Sequence, residues 1–576
     1  MRRILIMIFI LILSGLCWSY TFLNDQPKLT LTGTPRPPTL TVIPPSSTST
    51  FTPTSTQTEI PALTASVTPL PTAGSFSVLY HPDDVLYVGD QVSLEVISPS
   101  GSSIKDASLQ VQVDPPGGPI LGPVKFTTWG IQGRDEATLL WVWDTTGQEP
   151  GTHTLSFSVL PQGYSWTEQV TLLPFEQMPP SQADAAWAST QTQCCTVFYI
   201  TNTASERDLS SLTNLIDEQA NLSIGKMGSN FTEPITITIL PRLLGHGGFA
   251  SSEISVSYLD RNYAANSWQM VVHHEMIHSI DGHLGGDFRP NIFVEGLAVY
   301  MAGGHYKPEP FMPRAAALQE GYLNWYIPLK ILTDDFYASQ HEIGYLEGAS
   351  LIEYMVNTYG WEGFSSFYRD IHINQGESQS DAIDKALQSH FSISFVQLEQ
   401  DFLAALNQEP DTSAWVDDVR FSVIYYDTLR RYQQLLDPSA YFRTAWLMDN
   451  QAMRQRSIVA DYLRHPHATQ NLALETLLIT ASQQISKSQY SGASETLDII
   501  NTVLNAIEQG FPDPFSVTKS SADYFSISAV LQQHGYEVQQ IEIYENDATV
   551  YASNSTQLDI LELHLRLSGG EWTLSH

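Results

Sequence analysis

Two histidines stand four residues apart in the run Val272-His273-His274-Glu275-Met276-Ile277-His278, and a glutamate follows in Phe293-Val294-Glu295-Gly296. On an α-helix, side chains four apart lie one above the other on a single face, so the imidazoles of His274 and His278 converge on one point. That arrangement requires a helix held inside a folded domain. The local sequence agrees. Asn266 or Ser267 can cap the N-terminus, and Trp268, Val271, Val272, Met276, Ile277 and Ile280 give apolar cover on several sides. Gly282, Gly285 and Gly286 are the expected end. A second helix over residues 292–301 carries Glu295.

Two imidazoles and a carboxylate form one of the known three-ligand sets of catalytic zinc, which leaves a fourth position open for water. Glu295 is the expected third ligand, since burying an unpaired carboxylate is costly and an ion beside it removes that cost. Glu275, next to the first histidine, has the chemistry of a general base that takes a proton from water and hands it to a leaving amine. A His-based third ligand of the metzincin kind would need Gly at 281 and His at 284, where this chain has Asp281 and Leu284. His273 and His283 fit no recognised zinc spacing. They read as surface residues or as residues behind the ligands, with His283 the alternative to Glu295.

The pair of motifs, HEMIH followed by FVEGLAVY, resembles the gluzincin zinc peptidases, and in particular the peptidase MA-like domains related to the aminopeptidase N and thermolysin-like catalytic domains. The resemblance spans residues 194–406. It implies zinc held by His274, His278 and Glu295, with Glu275 as base. The stretch Gly344-Tyr345-Leu346-Glu347-Gly348 resembles the Tyr-x-x-Gly segment of these enzymes, which implies that the Tyr345 hydroxyl stabilises the tetrahedral oxyanion. The GxMEN segment, whose glutamate holds a free amino terminus in aminopeptidases, has no counterpart here. The corresponding region reads Gly245-His246-Gly247-Gly248-Phe249-Ala250-Ser251-Ser252-Glu253, so Glu253 is the one candidate substitute. Residues 253–258 alternate as a half-exposed strand does, and such a strand bordering the cleft can pair with an extended peptide. His305, in Gly303-Gly304-His305-Tyr306, and His341, four residues before Tyr345, are candidates to line the same cleft, whereas His246 suits a glycine-rich turn.

The rest of the chain frames this domain. Met1-Arg2-Arg3 precedes an apolar run over residues 4–18, which reads as an export signal or an N-terminal anchor. Residues 20–74, rich in Thr, Ser and Pro, cannot build a core and read as an extended stalk. Short alternating runs over 75–175 suggest an immunoglobulin-like or fibronectin-like β-sandwich. The catalytic domain is expected over 180–408, a helical bundle over 412–510 and a small α+β domain over 511–576. With 61 acidic residues against 27 basic ones, the net charge of −34 argues against nucleic acid as a partner. Of the three cysteines, Cys194 and Cys195 are adjacent and form either a vicinal bridge or two thiols.

The expected function is a secreted or surface-tethered zinc metallopeptidase acting on peptide or protein substrates, with standard aminopeptidase action disfavoured. The alternative is a non-catalytic surface binding protein built on a peptidase fold.

Overall fold

The computed structural model describes residues 76–99, 102, 104, 106–129, 134–242, 247–284, 286–305, 307–441, 449–554 and 557–575. The expected signal or anchor and the Thr/Ser/Pro tract lie outside these residues. Among the described residues, no helix is long and apolar enough to cross a membrane.

Nine strands come first: β1 (Ser77–His81), β2 (Leu86–Tyr87), β3 (Gln91–Ile97), β4 (Ser108–Val113), β5 (Ile120–Lys125), β6 (Thr127–Trp129), β7 (Arg134–Asp144), β8 (Gly151–Leu160) and β9 (Tyr164–Leu173). They form two sheets, ordered β1-β3-β7-β6 and β2-β9-β8-β4-β5. Alternation explains the pairing of faces. Val92, Leu94 and Val96 from one sheet meet Leu109, Val111, Leu155 and Phe157 from the other in one buried core.

The next sheet has the order β10-β11-β12-β14-β13, built from β10 (Trp187–Gln191), β11 (Cys195–Ile200), β12 (Ile235–Leu240), β13 (Gly248–Ala250) and β14 (Ile254–Ser257). Strands β11, β12 and β14 are parallel, and β10 and β13 are antiparallel at the two edges. The strand expected to border the cleft, β14, is therefore interior. The edge belongs to β13, because the chain turns back after Ala250 and inserts β14 between β12 and β13. Cys194 and Cys195, at the start of β11, are joined in a vicinal disulfide.

Helix α1 (Leu209–Met227) and helix α2 (Trp268–Leu284) pack against this sheet. Val271, Val272 and Met276 of α2 join the core of the sheet, while Ile277 and Ile280 join a second core made with α3 (Asn291–Ala302), α4 (Phe311–Ala317) and α5 (His341–Arg369). Helix α2 is thus wedged between two cores, which is why it is apolar nearly all round. It runs through Gly282 and ends at Leu284, ahead of the other two glycines expected to stop it.

The C-terminal helices α6 (Val416–Leu436), α7 (Thr469–Ser486), α8 (Tyr490–Glu508) and α9 (Lys519–Gln533), and the antiparallel sheet β15 (Tyr536–Tyr544), β16 (Asp547–Asn554), β17 (Gln557–Ser568) and β18 (Glu571–Leu574), share one buried cluster. The bundle and the small α+β unit expected separately are continuous across residue 511. Between α6 and α7, Met453, Ile458 and Tyr462 cover Leu240 and Phe249 of the β10–β14 sheet and touch Trp141 of the N-terminal strands. Arg464 clamps Asp90 there, with one Nη2 to Oδ1 contact of 2.9 Å.

Candidate metal centre

Helix α2 presents His274 and His278 on one face, as their spacing requires, with ring centroids 4.4 Å apart. Helix α3 begins after Pro290 and brings Glu295 to the same point. Glu295 Oε2 lies 3.5 Å from His274 Nε2 and 3.6 Å from His278 Nε2, and the two Nε2 atoms are 2.7 Å apart. A tetrahedral zinc with bonds of about 2.0–2.1 Å separates its ligand atoms by about 3.3 Å. Two of the three distances match that separation, and the third is tighter.

Charge supports the same reading. The Glu295 side chain is fully buried, its ion pairs are with the two imidazoles, and Oε2 makes no hydrogen bond among the described residues. Its other oxygen, Oε1, accepts a 2.8 Å bond from the Tyr337 hydroxyl. One oxygen is oriented and the other is turned to the histidines, the arrangement that an oriented metal ligand has. These three residues can hold a divalent ion. His274 is fully buried, whereas the His278 side chain keeps 9% of its surface exposed, so solvent approaches from that side.

Two close approaches set these positions. A Cβ at Gly296 would stand 2.5 Å from the Gly348 carbonyl oxygen, so α3 and α5 cross at a contact that only glycine permits. Glu295 and Tyr345 flank that crossing on the two helices. A Cβ at Gly248 would meet Val271 at 2.6 Å and Glu275 Cγ at 3.2 Å, so edge strand β13 lies directly against Glu275. Asp281 pins the far end of α2 by accepting from Arg289 at 2.9 Å, from the Tyr368 hydroxyl at 2.9 Å and from Arg369 at 3.3 Å.

Glu275 is fully buried on α2 beside its two histidines. Tyr345 is also buried, and its ring packs edge-on against Phe336 at 5.2 Å. Phe336 in turn meets Tyr337 at 5.1 Å, so an aromatic wall links Tyr345 to the partner of Glu295. His341 lies 4.7 Å from the Tyr345 ring, as its spacing on one helix implies.

Glu253 is placed differently. Arg454 holds its Oε2 at 2.6 Å and Asn450 donates to Oε1 at 2.6 Å, so its carboxylate is committed to the C-terminal segment and is no substitute for an amine-binding glutamate. His273 is buried rather than on the surface, with Nδ1 3.1 Å from Gln219 Oε1 of α1, and burial pulls its pKa down to about 3. His283 is exposed and outside the cluster, and His246 is outside the described residues. Tyr337 and Glu342 were not legible as functional. Tyr337 sits in a short 3-10 turn with no motif around it, and Glu342 shows its partners only once the fold brings His305 to it.

No protein-family model matches the chain, and no curated protein does. Among solved structures it has a distant likeness to an aminopeptidase N family protein from Idiomarina loihiensis, at 10% identity, a TM-score of 0.24, and coverage of 60% of this chain and 76% of that one. A likeness at that score carries no weight for function, which rests on the site itself.

Proposed function

We propose that the protein is a zinc-dependent peptidase that cleaves within extended peptide segments outside the cell. The observation that carries this reading is the buried Glu295 carboxylate, closed on His274 and His278 with Glu275 on the same helix. His274, His278 and Glu295 would hold a zinc ion, which would supply a Lewis acid. Glu275 takes the proton from the attacking water and delivers it to the leaving amine. Tyr345 donates its hydroxyl hydrogen to the developing oxyanion. An extended substrate adding to the edge of β13 passes beside Glu275, because Gly248 leaves no side chain between them. With Glu253 held by Arg454, no carboxylate among the described residues is assigned to a free amino terminus, which favours internal cleavage. The apolar run over residues 4–18 and the Thr/Ser/Pro tract support an extracellular or surface-tethered setting.

The test uses the purified protein, metal analysis and a mixed peptide library. The wild type should carry about one zinc per chain and cleave internal bonds. Glu275→Gln should keep the metal and lose hydrolysis. Full activity in that variant, or a wild type that cleaves nothing while carrying zinc, overturns the proposal.

A further inference from the structure

A second buried trio, His305, His341 and Glu342, surrounds Tyr345. Glu342 Oε1 lies 2.7 Å from His305 Nδ1 and 3.0 Å from His341 Nδ1. The His305 ring is stacked flat on Tyr345, with centroids 4.3 Å apart and planes 2° from parallel. The tilted ring of His341 meets the same phenol at 4.7 Å, and Tyr426 stacks on His341 at 5.4 Å. His305 itself is presented by a tight turn: left-handed Gly303 ends α3, and a bridge between Gly304 and Pro308 closes the loop.

The three residues also have the composition of a metal site, and charge decides between the two roles. Arg314 and Arg430 both feel the Glu342 carboxylate, Arg314 is bonded to Glu309 and Asp418, and Asp418 is bonded to Lys307. Among the described residues, buried Arg314 and Arg430 and half-buried Lys307 thus already face the carboxylates of Glu309, Asp418 and Glu342. A dication would add two uncompensated positive charges to a desolvated site, at a cost that one carboxylate does not offset. The trio is a packed polar cage, in which Glu342 Oε1 is hydrogen-bonded to His341 Nδ1 and lies against His305 Nδ1.

We infer that Glu342 and His305 are positioning residues that fix the ring of Tyr345, and hence the direction of its hydroxyl. The inference rests on the reading of Tyr345 as the oxyanion donor. The physical case is leverage. A phenol free to swing about its side-chain torsions moves its hydroxyl by more than an ångström, and a displacement of about 1 Å is enough to cost about 100-fold in rate. The cage removes that freedom with a ring on the phenol face and a carboxylate that ties both imidazoles. It also references the hydroxyl to the metal ligands, because His305 follows directly from the helix that carries Glu295, while Glu342 and Tyr345 share α5.

Kinetics on a peptide cleaved from the mixed library test this, with zinc content measured on every variant. His305→Ala and Glu342→Gln should each lower kcat by about 10-fold, with KM within about twofold and zinc unchanged, as expected for a lost orientation. In a Tyr345→Phe background neither substitution should cost anything further, since residues that act through one group are not additive. A wild-type kcat in His305→Ala or Glu342→Gln, or an equal loss with and without the Tyr345 hydroxyl, overturns the cage alone. A full kcat in Tyr345→Phe overturns the oxyanion role and the cage with it. A wild type that cleaves no peptide overturns the peptidase reading itself.

Discussion

Two trios of identical composition, each a pair of histidines with a glutamate, lie in this protein on either side of a short aromatic wall. His274, His278 and Glu295 come from successive turns of one helix and from the next helix; His305, His341 and Glu342 come from a loop and from two neighbouring residues at the start of α5. Both are buried. What separates them is the surrounding charge. Among the described residues the Glu295 carboxylate is ion-paired with the two imidazoles and accepts from the Tyr337 hydroxyl, whereas Glu342 lies in the field of Arg314 and Arg430 within a set that also holds Glu309 and Asp418. A cation would offset the burial of the first carboxylate, whereas the second already has cations around it. Ligand chemistry alone would rank the two trios equal. The surrounding charge is what separates the candidate metal centre from the cage around Tyr345.

The largest effect that sharpens this contrast is on turnover. Glu275→Gln should lower peptide cleavage by about 10²–10⁴-fold, the usual contribution of a general base, with zinc retained. The metal itself divides the trios next. His274→Ala should release the zinc and lower the thermal midpoint, because an ion that binds only the folded state stabilises it by mass action. His305→Ala should leave the metal content as it was. Metal analysis of the two variants after identical dialysis decides the matter, and a second equivalent of zinc lost only in His305→Ala would break the comparison.

A third variant addresses the distance between the trios. Gly348→Ala puts a methyl group into the crossing of α3 and α5, where a Cβ would stand 3.1 Å from the Ile292 carbonyl oxygen and 3.3 Å from Gly296 Cα. Overpacking of this kind costs about 1–3 kcal/mol. The denaturant midpoint should fall accordingly, and because both Glu295 and Tyr345 ride on these helices, zinc affinity and kcat should fall together.

Much of this site was legible from spacing. The i, i+4 histidines, the neighbouring Glu275 and the following Glu295 follow from helical periodicity and zinc chemistry, and His341 falls beside Tyr345 for the same reason. The helical character of residues 412–510 was equally plain, being strongly periodic. The failures have one cause, that tertiary neighbours are invisible to periodicity. Glu253 read as a cleft residue because nothing local announces Arg454, two hundred positions away, as its partner. Strand β14 read as an edge because its alternation is the same whether β13 folds back beside it or not. His273 was left open between the surface and a place behind the ligands because its cover comes from Gln219 on another helix. The continuity of the C-terminal core across residue 511 was hidden likewise, since a core is a property of packing and not of order along the chain.

Tyr337 stands between the first trio and the packing of Tyr345, and it supplies the finest test. Its hydroxyl donates to Glu295 Oε1 on one side, and its ring reaches Tyr345 through Phe336 on the other. Tyr337→Phe deletes the hydrogen bond and keeps the wall, so it separates the two roles. If the bond orients Glu295 for the metal, zinc affinity should weaken by about 10–100-fold, the range seen when an outer-sphere partner of a ligand is removed. The kcat of the fully zinc-loaded variant should stay close to wild type, because the packing that fixes Tyr345 is intact. Competition with a chromophoric chelator measures the first quantity and turnover at saturating zinc the second. An unchanged affinity would mean that Glu295 is held by α3 alone, through the Gly296 contact, and would move the whole burden of positioning the third ligand onto that helix crossing.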